Sequence, residues 1–185
     1  EGLYRHYKAI TEAMDLPIIL YNIPGRTGVN MLPSTITRLS AIQTIVGVKE
    51  GSGSVQQASD IVQMCGGRLT VLAGDDSLTL PMMAVGGKGV ITVTANIVPM
   101  EMAGLVKAFA DGRIDEARRI HFKLSPLFAA LFYETNPIPV KEALGLMRKI
   151  DPELRLPLCP MAQDTREKLI RVLKDAAAIE LEQDL

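Results

Sequence analysis

Residues 45–53 read Ile45-Val46-Gly47-Val48-Lys49-Glu50-Gly51-Ser52-Gly53, and this stretch decides the fold. A short apolar run without polar alternation, closed by turn residues, reads as a strand buried on both faces. The Gly-Ser-Gly loop then leads to Ser54, a candidate N-cap for a helix reaching Met64. Strand, loop and helix recur on either side. Upstream, Pro17-Ile18-Ile19-Leu20-Tyr21 forms a strand ending at Asn22. Pro24-Gly25-Arg26-Thr27-Gly28 is its loop, and Ser34 is placed to cap a helix through Leu39. Downstream, Leu69–Ala73 is a strand with the loop Gly74-Asp75-Asp76, a helix follows over 78–85, and Gly86-Gly87 stops it. Gly89-Val90-Ile91-Thr92-Val93 is a fourth strand.

The flanks are helical. Leu3, Tyr4, Tyr7 and Ile10 give residues 2–14 an amphipathic spacing. After Pro99 the pattern predicts helices over 100–111, 114–132, 139–149 and 163–179, broken near Pro137, Pro152, Pro157 and Pro160. Residues 180–185 are expected to fray. The chain opens at Glu1, without Met and with no strand before its first helix, so it is expected to be part of a longer product.

Four apolar strands alternating with helices define an α/β chain with a parallel sheet. Two architectures fit that pattern: a doubly wound sheet, or part of a (β/α)8 barrel, which needs about 250 residues in full. No GxGxxG follows the first strand, which weakens a dinucleotide-binding reading. Lys and Arg number 20 against 21 Asp and Glu, a net charge of −1 that suggests neither nucleic acid nor an anionic membrane as partner. No apolar run approaches the roughly 20 residues of a membrane span. Cys65 and Cys159 fit no metal-ligand spacing and read as reduced thiols of a cytoplasmic protein.

Lys49 is the first candidate for chemistry. Period-2 alternation places Ile45, Gly47 and Lys49 on one face. A lysine at the C-terminal end of a barrel strand sits where barrel chemistry occurs. A desolvated lysine loses its proton more readily, and a neutral amine attacks a ketone to form an imine. From the strand alone, a lysine reaching to solvent, or paired with a carboxylate such as Glu50, is the commoner reading. Tyr21 ends the preceding strand in the same manner, so its phenol can converge with the amine and relay protons; a core tyrosine also fits. Arg26, in the next loop, can grip a carboxylate through two parallel hydrogen bonds, or be simply solvated. Asp75 and Asp76 suit a helix N-terminus better than a metal site. His6 and His121 lie on helices away from strand ends, and Lys141 opens a helix beyond the strands. The nine methionines read as packing.

These motifs resemble the dihydrodipicolinate synthase family. Tyr21-Asn22-Ile23-Pro24-Gly25-Arg26-Thr27-Gly28 is similar to its YN(I/V)PxRTG segment, and Val46–Gly53 to its Schiff-base strand. Leu72–Asp76, Gly86–Asn96, Asn136–Lys141 and Leu154–Leu158 follow in the family's order, and the likeness runs from Gly2 to Ala178. The resemblance implies the second half of a (β/α)8 barrel over residues 1–97, with the last barrel helix and a helical extension over 98–185. It implies a class I lyase, a homotetramer without cofactor or metal. In it Lys49 forms an imine with pyruvate, and the derived enamine attacks aspartate semialdehyde to give 4-hydroxy-tetrahydrodipicolinate. By the same resemblance Tyr21 carries protons, Arg26 binds the semialdehyde carboxylate, and Gly74 and Ile91 line the pyruvate pocket.

The family's Thr pair, second Tyr and glycine-rich carboxylate loop have no counterpart in this sequence. A half-barrel alone is therefore expected to be inactive and prone to associate through its open edges. A sister pyruvate lyase acting on N-acetylneuraminate or a keto-deoxy-sugar acid is the nearest alternative. Arg26 favours the synthase. An inactive half-barrel serving only assembly is the alternative of another class.

Overall fold

The structure is a computed structural model that describes residues 1–176. The stretch expected to fray, 180–185, and the last residues of the helix expected over 163–179 lie outside the described residues. Contacts divide the chain into two compact units, Glu1–Thr92 and Val93 onward.

The first unit runs α1 (Gly2–Ala13), β1 (Ile18–Asn22), α2 (Pro24–Thr27), α3 (Pro33–Leu39), β2 (Ile45–Glu50), α4 (Val55–Cys65), β3 (Thr70–Ala73), α5 (Thr79–Ala84) and β4 (Gly89–Val90). All neighbouring strands pair in parallel, in the order β1-β2-β3-β4. A doubly wound sheet needs a point where strand order reverses, and this sheet has none. Right-handed crossovers between successive strands then put α1, α3, α4 and α5 on one side. Leu20, Ile45, Val48 and Val71 from three strands pack with Ile36 and Leu39 of α3 and Ile61 and Cys65 of α4, while α1 leans Leu3, Tyr4 and Tyr7 against them. Ala73 meets Ala58 of α4 and Met82 of α5. The opposite face is open: Ile19 is 48% exposed and Val46 40%. The arrangement is four consecutive βα units of a barrel.

Side-chain parity along β2 departs from strict alternation. Pairing jumps from Ile18↔Ile45 to Ile19↔Gly47, leaving Val46 as an extra residue. An extra residue reverses alternation across it. Ile45 therefore joins Leu20 and Val48 in the helix-packed core instead of sharing a face with Lys49.

Other boundaries differ for local reasons. Leu32, not Ser34, precedes α3, because Pro33 takes the first helical position and its fixed φ starts the helix. Ser54 caps α4 as expected, its hydroxyl accepting from the Gln57 N–H at 3.1 Å. The loop after β1 contains the single turn α2, closed by Gly28 in the left-handed region. β4 stops at Val90 because β3, its partner, has ended at Ala73.

The second unit opens with a 3-10 turn, Thr94–Asn96, and continues through α6 (Pro99–Ala110), α7 (Ile114–Ala130), α8 (Ile138–Leu146) and α9 (Gln163–Asp175). Leu105, Leu124, Leu127 and Leu169 are its fully buried side chains of largest volume apart from Met102 and Leu131. α7 packs on α6 and α9, and α8 packs on α9, where Arg166 Nε pairs with Glu142 at 2.6 Å. α8 ends earlier than expected as the chain turns through Arg148, φ +56°.

Candidate active site

Tyr21 and Lys49 are direct register partners at the C-terminal ends of β1 and β2. Equivalent positions on adjacent parallel strands carry side chains to the same face, so the phenol and amine meet above the open side. Lys49 Nζ lies 4.1 Å from the centroid of the Tyr21 ring, within cation–π range. Lys49 is half-buried and Tyr21 is 42% exposed. The amine thus faces an accessible surface, with its alkyl stem sheltered. Among the described residues it makes no ion pair.

Glu50 does not pair with Lys49. It turns to the helix-packed face and is 0% exposed. There Asn22 Nδ2 donates to its two oxygens at 3.3 and 3.0 Å, Gln57 Nε2 at 3.1 Å, and the Ser52 N–H at 2.7 Å. Asn30 bridges Asn22 and Gln57, accepting from Asn22 Nδ2 at 2.8 Å and donating to Gln57 Oε1 at 2.8 Å. The Met31 N–H donates to Asn22 Oδ1 at 2.9 Å. Motif reading passed over this cluster. Its signal was present in the strands: Asn22 and Glu50 share the parity of Leu20 and Val48, so both were bound inward, and a buried carboxylate requires donors.

The loops beyond each strand are stitched by one further ladder bond. The Gly51 N–H donates to the Asn22 carbonyl at 2.8 Å, the Gly74 N–H to the Glu50 carbonyl at 2.7 Å, and the Ile91 N–H to the Ala73 carbonyl at 3.0 Å. A Cβ at Gly74 would lie 2.8 Å from Gly51 Cα, and one at Gly51 2.9 Å from the Asn22 carbonyl oxygen. Both glycines are therefore demanded by close backbone approach. Gly74 is thus tied to the residue after Lys49, and Ile91, 39% exposed, follows β4 at the same end of the sheet. Arg26 sits on the exposed turn α2, directly after β1.

The remaining candidates have structural roles. Asp75 accepts from the Ser77 N–H at 2.8 Å and the Ser77 hydroxyl at 2.7 Å, closing the first turn before α5. Lys141 donates to the Glu153 carbonyl. His121 packs 5.6 Å from the Phe128 ring, and burial pushes its pKa below the usual imidazole value. Cys65 is buried and Cys159 exposed, both as free thiols. Among the described residues no group of His, Cys, Asp and Glu is arranged to hold a metal, and no helix is long and apolar enough to cross a membrane. A cavity of about 440 Å³, lined by Ile138, Glu142, Pro152, Glu153 and Met161, belongs wholly to the second unit.

Parallel βα units define a barrel-type α/β chain, and an amine and a phenol stand at adjacent C-terminal strand ends, the end where such barrels work. The chain belongs to the Dihydrodipicolinate synthetase family, whose sequence profile matches residues 1–176. It is 54% identical over 179 residues to a 4-hydroxy-tetrahydrodipicolinate synthase of Thermodesulfovibrio yellowstonii, covering 97% of this chain and 62% of that protein. It is 56% identical over 175 residues to the synthase of Geotalea daltonii, covering 95% and 60%. The crystal structure of dihydrodipicolinate synthase from Aquifex aeolicus superposes with a TM-score of 0.94 at 45% identity, over 96% of this chain and 61% of that one. The Thermotoga maritima structure gives 0.93 at 44%, over 96% and 62%. The chain therefore spans about 60% of the length of the curated relatives it matches.

Proposed function

We propose that this chain carries the imine-forming part of a class I lyase that condenses pyruvate with aspartate semialdehyde, giving 4-hydroxy-tetrahydrodipicolinate on the diaminopimelate route to lysine. The observation that supports it is the Lys49 amine held 4.1 Å above the Tyr21 ring at adjacent strand ends. A neutral Lys49 amine adds to C2 of pyruvate. Loss of water from the carbinolamine gives the imine, and loss of a C3 proton gives the enamine. The enamine carbon bonds to the aldehyde carbon, and ring closure by the semialdehyde's own amine onto C2 releases Lys49. One water leaves overall, and no cofactor enters. In this reading the Tyr21 hydroxyl shuttles the protons of addition and dehydration. Arg26 grips the semialdehyde carboxylate, and the backbone at Gly74 and Ile91 lines the pyruvate pocket.

Names of the relatives support this substrate pair, and the Arg26 guanidinium favours a small carboxylated aldehyde over a sugar acid. The working protein is a cytoplasmic homo-oligomer, a tetramer by the family resemblance. Borohydride reduction in the presence of pyruvate, followed by peptide mass mapping, tests the reading. A reduced pyruvyl adduct on Lys49 is the expected result, and an adduct elsewhere, or none in folded protein, overturns it. A panel of aldehydes then separates the synthase from a sugar-acid lyase.

A further inference from the structure

We propose that Glu50 is a positioning residue for the Lys49–Tyr21 pair, acting from the opposite face of the sheet. The inference rests on the imine-forming reading of Lys49. Tyr21 and Lys49 are register partners, and the next pair along the same strands is Asn22 and Glu50. The two pairs point to opposite faces at one level of the sheet. On the open face the phenol and amine touch through a soft ring contact, which by itself fixes little. On the packed face the Asn22 amide clasps both carboxylate oxygens of Glu50.

Among the described residues every hydrogen bond to that carboxylate comes from an N–H: two from the Asn22 amide, one from Gln57, and one from the Ser52 backbone. An acceptor-only group suits such a nest, and no other side chain of this length does. A carboxylate that is fully buried and, among the described residues, bonded only to neutral donors and paired with no cation is a costly device for stability alone. What it joins is informative. The clasp ties the end of β1 to the end of β2, the Gly51–Gly53 loop through the Ser52 N–H, and the first turn of α4 through Gln57. Through Asn22 Oδ1 and the Met31 N–H it also closes the base of the segment that carries Arg26. One buried group thus fixes the amine, the phenol and the foot of the arginine turn.

The test uses the complete product of the gene that encodes this chain. Glu50→Gln places an NH2 group against the Asn22, Gln57 and Ser52 donors. The maximal rate of borohydride-trapped imine formation is expected to fall about 10- to 100-fold, as for misplacement of a reacting group by an ångström or less. The pyruvate concentration at half-maximal rate should change far less. In the double variant Asn22→Asp/Glu50→Gln the acid and amide exchange places, and amide flips at Asn30 and Gln57 let the network close again. At least half of the lost rate, on a logarithmic scale, should return. If Glu50→Gln folds and traps pyruvate at the wild-type rate, or if the exchanged pair regains thermal stability but no rate, Glu50 is structural only and the proposal fails. Absence of a Lys49 adduct in the wild-type protein would instead remove the function on which it rests.

Discussion

The two faces of β1 and β2 are built on opposite logic, although their residues alternate along the same few bonds. On one face Leu20, Ile45 and Val48 are 2% exposed or less, sealed by α3 and α4. On the other, Ile19, Tyr21 and Val46 are each 40% exposed or more, and Lys49 rises among them. The packed face supplies the free energy that holds the strands in register. The open face spends that order on presenting an amine and a phenol. Because pleating couples the faces, a reactive group can sit in an accessible position with almost no contacts of its own and still be well placed.

Substitutions on the two faces should separate activity from stability. The largest effect is expected from Tyr21→Phe, which keeps the ring under the Lys49 amine and deletes only the hydroxyl. Imine formation with pyruvate should slow about 10²–10⁴-fold, with the urea midpoint nearly unmoved; stopped-flow or borohydride trapping reads the rate. Leu20→Ala, one residue earlier but facing α3 and α4, should do the reverse. It should cost about 2–5 kcal/mol in urea unfolding, while the rate per folded molecule stays within a few-fold. Gly74→Ala sharpens the boundary between the faces, since its methyl would meet Gly51 Cα and the Glu50 carbonyl. A loss of about 1–3 kcal/mol is expected, together with slower trapping, because the obstructed backbone belongs to the residue after Lys49. The smallest effect should come from His121 in the second unit. Burial lowers its folded-state pKa, so the unfolded chain takes up the proton first as pH falls. Stability should therefore be fully present at neutral pH and decline below about 6.5. His121→Phe should flatten that acid-side decline in urea midpoints measured from pH 7.5 to 5, leaving the trapping rate unaltered.

Much of the candidate site was legible because its residues are adjacent in sequence to clear punctuation. Lys49 precedes Gly51-Ser52-Gly53, Tyr21 precedes Pro24-Gly25, and each therefore falls at a strand's C-terminal end. What was misread in β2 has one cause. Alternation placed Ile45 beside Lys49, but the extra residue at Val46 shifted the parity, and a register jump arises between strands where no local pattern records it. Ser34 misled for a simpler reason, since Pro33 is a stronger helix starter than a serine is a cap. The Glu50 cluster escaped because Asn22, Asn30, Glu50 and Gln57 are unremarkable singly and spread over 36 positions.

By itself the sequence determined the order of strands and helices, the parallel sense of the sheet, and the strand ends that carry Tyr21 and Lys49. Those features follow from local hydrophobic runs and turn residues, which act over a few neighbours. Local pattern left a doubly wound sheet and barrel units both open, and the tertiary structure decided between them, because that choice lies in strand order and in the single face that α1, α3, α4 and α5 cover. It alone also decided which amides meet the Glu50 carboxylate, since the donors for a buried carboxylate come from whichever segments the packing brings within reach.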